Sequence, residues 1–158
     1  MAVRTLAMRS SAFEDGGTIP LRFTCDGEEQ SPPLAWDRAP EGTTSLALMV
    51  HDPDAARGDF THWVLFNLPP GTTEIAAGVG SGGELPGGAR QGRNDFGKLG
   101  YGGPCPPAGP AHGYVFGLTA LDAALDLPEG ATREQVEWAM AGHVRAQAQL
   151  TARYARQH

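Results

Sequence analysis

The stretch GRNDFGKLGYGGPCPPAGPAHGY, Gly92 to Tyr114, sets how the rest of the chain is read. It holds too many glycines and prolines for a helix or a central strand, since glycine frees the backbone and proline fixes φ and removes a donor. A flexible surface linker would show the same composition. Against a linker, Phe96 and Tyr101 punctuate the loop, and it runs directly into the apolar segment His112 to Leu121. A shaped loop feeding a strand accounts for both features.

Working outward, two further segments read as strands covered on both faces. Ser45 to Val50 is a nearly unbroken apolar run, and so is THWVLFNL at residues 61–68. Alternation along a strand places Asp52 on the face of Leu48 and Val50, with His51 on that of Met49. In the second strand the same rule groups His62 with Val64 and Phe66, and Trp63 with Leu65. In the third, His112, Tyr114, Phe116 and Leu118 share a side. Each strand thus carries a polar group at one end, as ordinary turn-capping and rim residues also would.

Shorter strands are expected at Leu6 to Phe13 and Leu21 to Cys25, parted by the turn Asp15-Gly16-Gly17, while Ser31-Pro32-Pro33 stiffens the entry to Leu34-Ala35-Trp36, with Trp36 as a core anchor. Residues 72–91 read as irregular crossing chain. Near the C-terminus, Thr132 and Gln135 form a capping-box pattern. Val136, Met140, Val144 and Ala148 then recur every four residues, which predicts one helix running through all of them.

With 158 residues, the chain makes one domain, residues 1–158, that buries roughly 70% of its unfolded surface. A net charge of −6 disfavours nucleic acid or an anionic membrane as a general partner. No apolar run reaches the ~20 residues of a membrane span. The opening MAVRTLAMRSSAF lacks a signal-peptide pattern, which points to the cytoplasm. Cys25 and Cys105 have no metal-ligand spacing, and free thiols are the cytosolic default.

GRNDFGKLGYGGPCPP followed by AHGY resembles the ligand loop of the phosphatidylethanolamine-binding protein family (PEBP, Raf kinase inhibitor-like), in its bacterial branch. FTCDGEEQSPPLAW (Phe23–Trp36), DPD (Asp52–Asp54), THWVLFNLP (Thr61–Pro69) and AMAGHVRAQAQL match in order and spacing, over nearly the whole chain. The resemblance implies a mainly β fold: two packed, antiparallel-rich sheets forming a β-sandwich, with one or two C-terminal helices. It implies a pocket for phosphate, phosphoryl headgroups or carboxylate, lined by Asp52, Asp54, His62, Gly103, Pro104, His112 and Tyr114. A homodimer, and a kinase or protease as regulated target, are implied as well; no cofactor is. The resemblance also places the Cys25 and Cys105 loops on the pocket side, which leaves a bridge between them open if the chain meets oxidant. Two family features are missing, since Ala56 replaces a proline and Gly113 a basic residue.

An aspartate beside an anion needs explaining, because two unit charges about 4 Å apart repel by ~4 kcal/mol at an effective dielectric near 20. The expected resolution is that Asp52 orients a histidine and favours its protonated form. Protonated imidazole, the Tyr114 hydroxyl and loop N–H groups would then donate to the ligand. Two other readings use the same residues. A hydrolase would take the His/Asp cluster as acid and base for a small phosphate or ester, although no G-x-S-x-G motif is present. A metal site would take Asp52, His62 and His112, without any compact ligand motif.

Overall fold

Three apolar runs build the centre of a computed structural model that describes residues 3–81, 85 and 87–156. In chain order the strands are β1 (Arg4–Leu6), β2 (Met8–Arg9), β3 (Leu34–Trp36), β4 (Ser45–Asp52), β5 (Phe60–Leu68), β6 (Glu74–Ile75), β7 (Arg90–Gln91), β8 (His112–Leu121) and, after helix α1 (Arg133–Met140), β9 (Val144–Tyr154). They form a six-stranded sheet of order β1-β9-β8-β4-β5-β7 and a three-stranded sheet of order β2-β3-β6. All pairings within these sheets are antiparallel except β1 with β9.

The two-sided character of β4 and β5 has a physical cause in the layers around them. Leu46, Leu48, Val50, Trp63 and Leu65 pack with Leu34, Trp36 and Ile75 in the main core between the sheets. Ala47, Val64 and Phe66 turn the other way, onto a second cluster with Leu125 and Val136 of α1. At about 25 cal/mol per Å2 of apolar surface removed from water, covering both faces is the main stabilising term for these strands.

Three expectations change. The Leu21–Cys25 strand is instead a 3-10 turn, Leu21–Phe23, in which Phe23 N–H donates to Pro20 and Thr24 N–H to Leu21. Thr24 Oγ1 also donates to the Leu21 carbonyl (2.8 Å), so local bonds take the groups a ladder would need. The Leu6–Phe13 strand breaks at Ala7, whose N–H is held by Asp37, and ends at Arg9.

The C-terminal helix is the largest correction. Its capping box forms as read, with Gln135 N–H to Thr132 Oγ1 and Thr132 N–H to Gln135 Oε1. The helix then stops at Met140, because Gly142 takes φ +84° and reverses the chain. Val144 to Tyr154 is a strand whose Ala146, Ala148, Leu150 and Ala152 are buried by alternation. Val144 and Ala148 fit a period of four and a period of two equally well, and pairing with β8 decides for two. In the crossing chain, residues 82–84 and 86 lie outside the described residues, as do residues 1 and 2 of the opening stretch and residues 157 and 158.

Candidate functional site

β4, β5 and β8 end side by side, and the Gly92–Ala111 loop folds over those ends. β5 carries the local device that assembles the site. Val50 pairs with Trp63 but His51 pairs with Thr61, so His62 is an extra residue, a bulge. Simple alternation would put His62 with Val64 and Phe66. The bulge turns it to the face of Trp63 and Val50 instead, where Asp52 and Tyr114 lie.

Asp52 is 3% exposed and His62 3%. The Asp52 Oδ2 accepts from His112 Nδ1 at 2.6 Å, while its Oδ1 accepts the Asp54 N–H at 2.8 Å. Asp54 passes the connection on, its Oδ2 accepting the Gly113 N–H at 2.8 Å. His62 Nδ1 donates to the Gly102 carbonyl at 2.7 Å. The Tyr114 ring meets His62 edge-on at 5.3 Å and lies near-parallel to His112 at 6.5 Å. Tyr114 is 1% exposed, and its hydroxyl finds no hydrogen-bond partner among the described residues.

Carbonyls and carboxylates only accept, so both histidines hold a proton on Nδ1. In the neutral rings Nε2 is therefore a lone pair, and neither Nε2 has a partner among the described residues. Burial lowers the His62 pKa, outweighing the Gly102 bond and the carboxylates of Asp52, Asp95 and Glu29. Resting His62 is thus neutral: burial outweighs the pull of Asp52 toward the protonated form. Burial first, and then the Asp52 charge, push the Tyr114 hydroxyl up, so it stays a protonated donor.

These groups surround a cavity of about 140 Å3 lined by Asp52, His62, His112 and Tyr114, with Phe60, Phe96, Ala55, Ala56, Cys105, Pro106 and Pro107 completing the wall. Asp54, Gly103 and Pro104 do not line it. Gly103 N–H already donates to Glu29 Oε2 (2.9 Å), and the Pro104 carbonyl accepts from Cys25 N–H (3.1 Å). Gly103 earns its place by contact, since a Cβ there would sit 2.7 Å from the Phe23 carbonyl oxygen. The Gly103 amide is accordingly engaged by Glu29, and Pro104 has no N–H to offer. A larger cleft of about 760 Å3 runs beside Thr18–Leu21 and Arg153–Arg156, and none of these four polar groups lines it.

Sequence reasoning missed Phe60 and Phe96, whose aromatic signal was visible but had no address. Of the two states left open for the cysteines, free thiols by default or a bridge, the structure has the bridge: Cys25 and Cys105 form a disulfide across a separation of 80 residues. The 3-10 turn and the proline-stiffened loop bring them together, and the bond anchors the wall beside His112.

A family model for phosphatidylethanolamine-binding protein matches residues 9–155. The chain belongs to the phosphatidylethanolamine-binding protein family. Among curated proteins, the chain is 52% identical over 149 residues to a UPF0098 protein of Methanothermobacter thermautotrophicus, covering 94% of this chain and 98% of that one. It is 41% identical over 153 residues to the UPF0098 protein YbhB of Escherichia coli, covering 92% and 97%. Among solved structures, the PEBP homologue CT736 of Chlamydia trachomatis superposes with a TM-score of 0.89 at 37% identity, covering 98% of this chain and 99% of that one. YbcL of Escherichia coli, described as a member of the mammalian PEBP family, gives 0.90 at 33%, covering 96% and 99%. The mainly β architecture expected for a PEBP is the one found.

Proposed function

We propose that this PEBP binds a small oxyanion, a phosphate, phosphoryl or carboxylate group, in the cavity between His62, His112 and Tyr114. The observation that carries the reading is the convergence of three polar side chains with unused atoms in one small cavity, whose other walls are apolar apart from the already engaged Asp52. Both Asp52 oxygens are already engaged, so its charge acts through His112 and not on the ligand directly. Binding an anion favours protonation of the imidazoles, which turns each Nε2 from acceptor to donor. The ligand therefore enters with proton uptake.

Titration calorimetry with inorganic phosphate tests this. His62→Ala and His112→Ala are each expected to weaken binding by about 1.5–3 kcal/mol, the worth of a hydrogen bond to a charged group. Equal affinity in wild type and both variants would sink the reading.

The pair Asp52–His112 has the form of an oriented general base, which is what favours a hydrolase as second reading. Among the described residues, no serine or threonine lines the cavity, and the sulfur that does, that of Cys105, is in a disulfide. The binding reading thus has the stronger support. Among the described residues, no group of three His, Cys, Asp or Glu side chains is arranged to hold a metal ion.

A kinase or protease target would be engaged by seating a phosphorylated or acidic side chain in the same pocket. The proposed homodimer is checked by light scattering at tens of micromolar, where a monomer mass would count against it. No described helix is long and apolar enough to cross a membrane. Cytoplasmic residence was expected from the opening residues. The disulfide favours an oxidising compartment instead, and a Mycobacterium tuberculosis relative, LppC, 41% identical over 154 residues, carries a lipoprotein designation.

A further inference from the structure

A cavity of about 140 Å3 is well below the roughly 300–1,000 Å3 of small-molecule sites, so it houses only a head group. The remainder of any organic ligand must leave across the rim. We propose that the ligand is an oxyanion bearing a planar aromatic arm, which crosses the edge of Phe96 into the adjoining cleft. This rests on the anion reading of the pocket.

Phe96 is the side chain shared by the two spaces. The second cleft, of about 410 Å3, is bounded by Phe96, Leu99, Tyr101 and Gly102, with Glu29, Ser81, Asn94 and Lys98 on its other walls. Phe96 is 44% exposed and Leu99 49%. Single exposed apolar residues are ordinary, but these two belong to one turn and line one cleft.

That turn is built to hold them still. Asn94, 4% exposed, accepts the N–H groups of Phe96 (2.9 Å) and Lys98 (3.2 Å) on Oδ1 and donates from Nδ2 to the Gly100 carbonyl (2.9 Å). The Phe96 ring stands edge-on to Phe60 at 4.8 Å and to His62 at 5.5 Å. Gly102 is required for this seat, because a Cβ there would lie 2.3 Å from the Phe96 ring. An aromatic ring fixed from one side and open on the other has already lost its rotamer entropy, so a second ring can pack on it at low further cost.

The remaining walls decide between an aromatic arm and an alkyl chain. Glu29, Ser81, Asn94 and Lys98 offer an alkyl chain no continuous apolar track. They suit a flat ring that touches Phe96 and Leu99 and presents its π face to the Lys98 ammonium.

The test compares inorganic phosphate, methyl phosphate, butyl phosphate and phenyl phosphate by titration calorimetry, on the wild-type protein and on Phe96→Ala and Phe96→Leu. Phenyl phosphate is expected to bind about tenfold more tightly than methyl phosphate to the wild type, as one aromatic contact allows. That ratio should fall below about threefold in Phe96→Ala and in Phe96→Leu; the leucine variant answers the question alone if the alanine variant does not unfold cooperatively. Phosphate binding with equal affinities for phenyl and methyl phosphate would overturn the aromatic arm and leave the pocket standing. A preference for butyl over phenyl phosphate, or a tenfold ratio surviving in Phe96→Leu, would overturn it too. Failure of all four ligands to bind would remove the pocket reading and this inference with it.

Discussion

Replacing Tyr114 with phenylalanine should separate what the pocket costs from what it does. The Tyr114 ring is core, 1% exposed, and its hydroxyl has no protein partner. Keeping a buried hydroxyl unsatisfied costs about 1–3 kcal/mol, whereas removing it leaves the ring packing intact. At about 2–4 °C per kcal/mol for a domain of this size, Tyr114→Phe is expected to raise Tm by roughly 2–12 °C in phosphate-free buffer. Phosphate affinity should fall about tenfold or more, the loss of one hydrogen bond to a charged group. Burial and Asp52 keep the hydroxyl protonated, so the affinity loss should be the same at pH 6 and pH 8. Scanning calorimetry with and without phosphate, plus titrations at both pH values, measures all three quantities. A lower Tm would show that the hydroxyl serves the fold, and unchanged affinity would show that it does not touch the ligand; either result refutes the reasoning.

The pH dependence of stability follows from His62, whose folded pKa is depressed below 6.5 by burial. Its contribution is complete above that value and is lost as pH falls below it, because the unfolded chain then takes up the proton more readily. Denaturant titrations of the ligand-free protein from pH 8 to 5 should show that decline, with a flatter profile in His62→Gln; a parallel decline would remove His62 as its source. Phosphate binding should run the opposite way, tighter near pH 6 than near pH 8, with measurable proton uptake across buffers of different ionisation heat. For the disulfide, a closed loop spanning 80 residues corresponds to about 4–5 kcal/mol of chain-entropy stabilisation. Cys25→Ser with Cys105→Ser should lose stability on that scale, and alkylation of the denatured, unreduced protein should label neither thiol.

The strands that carry the site were legible because their apolar runs are long and bounded. His112 to Leu121 reads as a strand with the limits it has, and Asp52 sits on the face that alternation assigns. His62 shows where the rule stops: one extra residue in β5 moves its side chain to the other face, and nothing in THWVLFNL marks the insertion. Val144 to Tyr154 fails for a different reason. A repeat of four satisfies both periods, and the choice belongs to β8, a partner distant in sequence. Phe96 and the Cys25–Cys105 bond likewise depend on which loops meet, a property of the closed fold and not of either loop.

The position of β9 bears on how the protein is made. It lies between β1 and β8, so the last of the described strands is an interior member of the large sheet. While the polypeptide leaves the ribosome, β1 has no neighbour and β8 shows a bare edge until residue 154 has emerged. At about 5–20 residues per second, the nascent chain carries that edge for seconds, open to pairing with other nascent chains. This sheet consequently cannot close before β9 has emerged, and a ribosome stalled before Val144 would hold a chain unable to complete it.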